Sequence, residues 1–178
     1  MKSPYVPTTG LRLPPQHLES EQALLGAIML RSDSLYEISD VVLPESFYAE
    51  KHRLIFEAML DLQRKHEPID LLTLAMKLEE KALLDQVGGR TYLAELASSV
   101  PSSANARFYA DTVRKKHILR ELIRTAEHVG QLGYQEDLAL EEILDEAESK
   151  IYSVTNISSG QGIQKIKDAL VIAWERIE

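Results

Sequence analysis

Cysteine is absent from this sequence of 178 residues, and its absence excludes several classes of site together. Without a thiol the chain forms no disulfide, offers no thiolate to zinc and has no cysteine nucleophile. The histidines show neither an H-E-x-x-H motif nor another paired-ligand spacing: His17, His52, His66, His117 and His128. We therefore expect no metal site, and we interpret each histidine as a capping, surface or core residue.

Phosphate-binding and membrane-spanning patterns are missing as well. The sequence contains no G-x-x-x-x-G-K-[ST] loop. Its longest apolar run, residues 23–30, is far shorter than the roughly 20 residues that span a bilayer, and the start lacks a signal-peptide core. These absences predict a cytoplasmic protein without a membrane segment. They also predict that the chain has no catalytic residue and no cofactor of its own, and that it does not hydrolyse ATP.

Positive charge is in deficit, because the net charge is −8 and the pI is near 5.2. General binding to a phosphate backbone depends on clustered cations, so direct duplex binding is disfavoured. The run Arg114-Lys115-Lys116 is interpreted as a solvated helix face, with a nucleic-acid contact as the alternative.

Alternation of polar and apolar residues, the pattern of strands, is not found either, and the prediction is an all-α fold. We predict a flexible N-terminal arm over residues 1–15 and a compact helical domain over residues 16–100. A helical hairpin over residues 101–157, a flexible joint over 158–162 and a linker helix over 163–178 follow.

Within the compact domain, the first helix is expected to bury Leu18, Leu24, Leu25, Ile28 and Met29. Gly26 lies in the middle of that helix, where glycine costs about 1 kcal/mol against alanine, so we expect it to permit a close helix contact. Asp70 is predicted to cap a later helix, and Gly88-Gly89 to form a turn.

The hairpin is the element around which the chain is organised. Its first arm is predicted to begin at residues 101–103 and to end after Val129, at Gly130 and Gly133. One side of its first half is apolar through Ala106, Tyr109, Ala110 and Val113. Almost opposite lies an apolar face of the second half: Leu119, Leu122, Ile123, Ala126 and Val129. A helix whose apolar side changes midway is expected to contact one body with its first half and another with its second.

The second arm is predicted from about Asp137 to about Ser153, with one buried stripe. The stripe consists of Leu140, Ile143, Leu144, Ala147, Ile151 and Val154. The first arm is basic (Arg107, Arg114, Lys115, Lys116, Arg120 and Arg124) and the second is acidic (Glu136, Asp137, Glu141, Glu142, Asp145, Glu146 and Glu148). We expect these opposite charges to set the register of the two arms, while packing holds them together.

The last predicted helix carries an apolar stripe that no remaining part of the sequence covers: Ile166, Leu170, Ala173, Trp174 and Ile177. A docking site for Ile166, Leu170, Trp174 and Ile177 is therefore expected on another domain or chain.

Several short motifs, each weak alone, occur together in a specific order. They are Pro14-Pro15, Glu19-x-Glu21-Gln22-Ala23-Leu24-Leu25-Gly26, Phe47-Tyr48, His52, Ile55-Phe56, Pro68-Ile69-Asp70-Leu71, Gly88-Gly89-x-x-Tyr92-Leu93-x-x-Leu96, Pro101, Asn105, Tyr109-Ala110, Asp145-Glu146-Ala147-Glu148 and Ile166-Lys167-Asp168. In this order they resemble the N-terminal portion of the bacterial replicative DNA helicases, the DnaB family. The family's motor domain, which binds ATP and magnesium, has no counterpart in these residues.

The resemblance implies a collar domain that supports assembly of a helicase ring, receives primase, and sends a linker helix to a neighbouring motor domain. Self-association as a dimer or hexamer-type ring, primase and a helicase loader are the partners it implies, with DNA reached only through the full-length ring. The interface candidates are Leu119, Leu122, Ile123, Ala126 and Val129, with Tyr92 as a weaker one that also fits a core position. The alternative is a stand-alone adaptor or loader-like protein that binds a helicase collar.

Overall fold

A computed structural model describes residues 13–100, 105–135 and 137–159, with side chains described as far as Asn156. The described residues form helices and no strand, which confirms the all-α fold. The α-helices are α1 (Leu18–Leu30), α2 (Ser34–Ile38), α3 (Glu50–Arg64), α4 (Leu71–Glu80), α5 (Gly89–Ser98), α6 (Ala106–Leu132) and α7 (Leu140–Ser159). A short 3-10 helix, Pro44–Ser46, precedes α3.

Helix α1 lies at the centre of the body, the part of the molecule formed by α1–α5 and the first half of α6. It contacts α2, α3, α5 and α6, and nearly every side chain between Ser20 and Met29 is buried. An apolar helix of this kind needs cover on all sides. The prediction for Leu18 is wrong: this side chain is 41% exposed, because it lies in the first turn, before the helix enters the core.

Gly26 permits the close contact expected of it. A Cβ atom at this position would lie 2.1 Å from the carbonyl oxygen of Leu96 and 2.3 Å from a methyl carbon of Val100. No side chain fits at those distances, so α1 and α5 touch through backbone at this point.

The ends of two body helices follow their sequence signals. The Asp70 carboxylate accepts hydrogen bonds from the backbone N–H groups of Leu72 and Thr73, both at 2.9 Å, and these bonds lower the pKa of Asp70. Gly88 precedes α5 with a φ of 103°, a left-handed conformation that favours glycine. Both predictions, the cap and the turn, are confirmed.

Helix α6 joins the body to the hairpin. Ala106, Ala110 and Val113 are buried in the core of the body, as the pattern of the first half predicts. The helix continues through Gly130 and ends at Leu132, followed by Gly133, so the expected stop at Gly130 is wrong. Glycine costs a helix stability without ending it, and Leu132, only 2% exposed, provides packing beyond it. The predicted start at residues 101–103 lies outside the described residues.

Helix α7 differs in length from its prediction. It begins at Leu140 rather than near Asp137 and continues to Ser159 rather than about Ser153. Residues 158 and 159, predicted to open a flexible joint, are therefore helical. Val154 is buried, so the helix still packs near the point where it was expected to end.

Candidate protein-docking surface

The apolar row on the second half of α6 is exposed, and its Ile123 also lines a cleft beside the body. We define the α6 row as Leu119, Leu122, Ile123 and Ala126. At about 100° per residue it lies roughly 155° from the side through which Ala106, Ala110 and Val113 enter the core. The three large side chains are 37%, 54% and 44% exposed, in chain order, Ala126 is exposed and Val129 is half-buried. The row is therefore open to a partner, and its role as an interface stays a prediction.

A different side of α6 packs on α7. Leu132 is buried, and His128 Nε2 lies 2.8 Å from Glu146 Oε1 across the hairpin. The partly buried residues of this stretch, Ile118, Glu121, Thr125, His128 and Val129, lie mainly on the same side. The contact side thus lies about 130° from the α6 row, by the same helical period.

Only part of the stripe predicted for α7 is buried. Val154 is buried, and Ile143 and Ala147 are half-buried against α6. Leu140, Leu144 and Ile151, which we define as the α7 row, are 67%, 58% and 53% exposed. The prediction of one buried stripe is wrong for these residues, because a single neighbouring helix covers a narrower strip than the stripe occupies.

The two exposed rows lie on the same face of the hairpin. Consider each helix viewed along its axis from its N-terminus. On both helices, the exposed row is reached from the side that contacts the other helix by turning in the same direction around the axis. Because α6 and α7 run antiparallel, the same sense on each helix places both rows on one face of the pair. Their combination is an apolar surface two helices wide, which we call the hairpin face.

Several basic residues of α6 pair with groups other than the acidic residues of α7. Among the described ion pairs, His128–Glu146 is the one that crosses from α6 to α7. Arg107 instead reaches the body, where its Nη1 donates to the carbonyl of Glu37 at 2.9 Å and lies 3.3 Å from Asp40. Arg124 pairs with Glu121 on its own helix. Exposed pairs add little stability in any case.

Arg120 anchors the hairpin to the body. Its Nη1 donates to the carbonyl of Pro15 at 2.9 Å, and its Nη2 donates to the carbonyl of Ser46 at 2.7 Å. The guanidinium also lies over the ring of Tyr48, 5.7 Å from its centroid. The side chain is buried, and this desolvation lowers the pKa of Arg120. One arginine therefore joins α6, the segment before α1 and the 3-10 helix.

A cleft of about 940 Å³ opens beside this anchor. Ile123, Arg124 and Glu127 of α6 line one side, and Tyr48, Glu50 and Arg53 belong to the residues opposite. Carboxylates and guanidinium groups are mixed in the lining, without a convergent set for one ligand. The second half of α6 thus stands away from the body beyond Arg120.

Tyr92 lies in a polar network inside the body. His52 occupies its centre: Nδ1 lies 2.6 Å from the buried Glu21 carboxylate, and Nε2 lies 2.6 Å from the Tyr92 hydroxyl. Glu21 also accepts hydrogen bonds from the backbone N–H groups of Tyr48 and Ala49 at the start of α3. The described partners of Tyr92 belong to α1 and α3, and they include Gln22 and Lys51. The network connects three helices of the body. Among the described residues, Tyr92 makes no contact with the hairpin.

The sequence pattern gave no signal for Arg120 or for Glu21. Arg120 was counted among the basic residues expected to face α7, and an acidic residue in the first turn of a helix is ordinarily a solvated partner of the helix dipole. Only the arrangement of elements shows that both are buried. The linker candidates Ile166, Leu170, Trp174 and Ile177 lie outside the described residues.

Two findings concern metal binding and membrane insertion in the described part of the chain. No three side chains of the metal-ligating types converge there. None of the described helices combines the length and the apolar character needed to cross a membrane.

The sequence matches the family described as DnaB-like helicase N terminal domain over residues 13–115. It is 45% identical over 167 residues to the replicative DNA helicase DnaC of Bacillus subtilis, a match that covers 94% of this chain and 37% of that protein. The replicative DNA helicase DnaB of Geobacillus stearothermophilus is 42% identical over the same shares of the two chains. The chain therefore spans a little over a third of the length of these relatives.

Solved structures show the same fold. The N-terminal domain of DnaB helicase from Mycobacterium tuberculosis aligns with a TM-score of 0.73 and 38% identity, over 79% of this chain and 99% of that chain. A DnaB-like replicative helicase, described together with its interactions with primase, aligns with a TM-score of 0.65 and 30% identity. That match covers 90% of this chain and 34% of the other.

Proposed function

Because the chain belongs to the family of DnaB-like helicase N-terminal domains, we propose that it is the collar and protein-docking domain of a replicative DNA helicase. In this role it supports assembly of the helicase ring and binds primase. The proposal assigns neither ATP nor magnesium to these residues, since both are expected at a motor domain of the full-length protein. DNA is reached through the assembled ring, and a helicase loader is a further partner.

The observation that carries the proposal is the hairpin face. Large apolar side chains of α6 and of α7 are exposed within the described structure, and the helical period places them on one face of the hairpin. Contiguous apolar surface of this kind marks sites of protein association. The primase part of the proposal is supported by the similar DnaB-like helicase whose interactions with primase have been described.

The test is the substitution Ile123→Asp, which places a carboxylate in the α6 row. Burial of an isoleucine contributes about 1.5–3 kcal/mol, and a buried unpaired charge opposes association further, so we expect self-association or primase binding to weaken by about tenfold or more. Sedimentation measures the first, and calorimetry with primase of the same organism measures the second. Circular dichroism should show unchanged helix content, because Ile123 is 44% exposed.

Met76→Asp is the matched control, since Met76 is 57% exposed on α4 of the body and should leave both interactions intact. Unchanged self-association and unchanged primase binding in the Ile123→Asp chain contradict the proposal. Should that variant lose its helix content, Ile123 is a core residue, and the milder Leu122→Ser then tests the same face.

A further inference from the structure

The cleft beside Arg120 has one wall on the body and one on the hairpin. Phe47 and Tyr48 of the body line the first wall, and Ile123 and Glu127 of α6 line the second. Tyr48 is 39% exposed and Ile123 is 44% exposed, so each wall presents apolar surface to the space between them. A segment of chain lying in this cleft would contact the body and the hairpin at the same time.

The charges of the cleft are not all paired. The guanidinium groups in its lining are held by neighbouring carboxylates or by backbone carbonyls: Arg53, Arg120 and Arg124. Among the described ion pairs, none involves the lining residues Glu45 and Glu127, and both side chains are exposed. The cleft therefore offers negative charge to a cationic segment.

The first described residues border this cleft. Leu13 and Pro14 belong to its lining, and Arg120 donates to the carbonyl of Pro15 at 2.9 Å. The described residues leave Leu13 80% exposed. Consecutive Cα atoms are about 3.8 Å apart, so Arg12 begins within a few ångströms of the lining.

Residues 1–12, which lie outside the described residues, have a composition that complements the cleft. They contain Lys2 and Arg12 but no aspartate or glutamate. Tyr5 and Leu11 are among their apolar side chains, and their two prolines favour an extended backbone. Extended, proline-containing segments dock in grooves that present aromatic side chains, as Tyr48 does here.

We infer that residues 5–12 lie in the cleft of their own chain and form a strap between the body and the hairpin. Their apolar side chains contact Tyr48 and Ile123, and their positive charge lies near the two carboxylates. At about 3.1 Å per residue they reach about 25 Å, whereas α6 from Arg120 to Glu127 extends over about 10 Å, so the segment is long enough to cross the cleft. The strap is a second attachment of the hairpin beside Arg120, and it depends on neither primase nor ring assembly.

The first test uses the complete chain with a photoreactive group in the strap, Tyr5→benzoylphenylalanine. After illumination, mass spectrometry identifies the cross-linked residues, and a mixture of isotope-labelled and unlabelled chains separates contacts within a chain from contacts between copies. We expect cross-links within one chain to both walls, residues 45–53 and residues 120–127. The control is Tyr134→benzoylphenylalanine, because Tyr134 is 88% exposed just after α6 and should not give these products.

The second test reverses the charge of the cleft in the chain that carries the photoreactive group. Glu45→Lys together with Glu127→Lys should lower the yield of the cross-link about tenfold, since like charges at close range disfavour contact. The matched control reverses two exposed carboxylates of the body, Asp85→Lys and Glu95→Lys, and should leave the yield unchanged. If the reversed variant loses helix content, the shape-preserving glutamine substitutions at the same two positions replace it.

The third test asks whether the strap restrains the hairpin. Leu11→Asp removes an apolar contact and adds a negative charge without altering α6 itself. We expect hydrogen exchange of the amides in residues 120–127 to become about threefold faster in the monomer, because losing a contact lowers the free energy of local opening. Met76→Asp, on α4 of the body, is the control and should not change these rates.

Several outcomes overturn the inference. They are cross-links between copies, cross-links to other parts of the body, and a yield no higher than that of the Tyr134 control. A yield that is insensitive to the carboxylates of the cleft, or unchanged hydrogen exchange in Leu11→Asp, also overturns it. None of these measurements involves primase, so the proposed function stands or fails separately.

Discussion

At the scale of single residues, the attachment of the hairpin depends on the shape of one side chain. The planar fork of Arg120 donates to carbonyl oxygens of two separate segments at once. Lysine at this position would carry the same charge but would lack the fork, so it would not bridge the two segments in the same geometry. Arg120 thus holds α6 where it leaves the body.

His117, near Arg120, makes the stability of the chain depend on pH. Burial lowers the pKa of His117 below its usual value, and Nδ1 is buried without a hydrogen-bond partner among the residues that the structure describes. The unfolded chain, with a histidine pKa near 6.5, therefore binds a proton more readily than the folded chain does. The free energy of unfolding should fall as the pH is lowered through about 6.5 and level off below the folded pKa.

Urea unfolding of the wild type and His117→Gln at several pH values between about 5 and 8 measures this effect. The difference between the two plots of unfolding free energy against pH isolates the contribution of His117. His66→Asn is the control, because His66 is exposed and its φ of 56° is one that asparagine tolerates. If the free energy of unfolding depends on pH in the same way in His117→Gln as in the wild type, folding does not shift the proton affinity of this histidine.

At the scale of elements, two glycines inside helices have opposite roles. Gly26→Ala places a methyl group 2.1 Å from the carbonyl oxygen of Leu96 in α5 and 2.3 Å from a methyl carbon of Val100, so α1 and α5 must separate. Gly130→Ala meets nothing within 4 Å in α6 and gains the better helix propensity of alanine. We expect Gly26→Ala to destabilise the chain by about 1–3 kcal/mol and Gly130→Ala to stabilise it by about 0.5–1 kcal/mol.

Thermal and chemical unfolding of the two variants, side by side, measure the difference. Each variant is the other's control, since the substitution is the same and only the surroundings differ. Equal shifts would show that the close approach of α1 and α5 relaxes without cost.

At the scale of the whole molecule, burial divides the chain unevenly. The body contains a continuous core of apolar side chains from α1 to the first half of α6. Beyond Arg120, Leu132 and Val154 are the buried side chains of the described hairpin, and several large apolar ones are exposed. Regions with few buried apolar contacts open locally at a lower free energy than the core.

Native-state hydrogen exchange should therefore show lower protection for amides in the second half of α6 and in α7 than for those of α1. The measurement is made at a concentration where sedimentation gives the monomer mass, and protection of the hairpin should rise when copies associate. Equal protection of hairpin and α1 in the monomer would contradict this division of the molecule.

The sequence predicted the helical class, the cap at Asp70, the close contact at Gly26 and the change of apolar side within α6, because each depends on local spacing or on one residue's conformational range. It did not predict that α6 continues through Gly130, or that part of the apolar stripe of α7 is exposed. Those two outcomes depend on how much of a helix its neighbour covers, and that quantity is set by the arrangement of the arms.

By itself, the sequence determined which residues could be buried and which helices could form, since periodicity, capping and glycine act over a few neighbouring positions. The tertiary structure decided which apolar rows stay open, which of the basic residues bind the body, and that Glu21 and Arg120 are buried. The physical reason is that burial and charge pairing depend on residues distant in the chain: Arg120 finds its partners at Pro15 and Ser46, and no local pattern specifies that meeting.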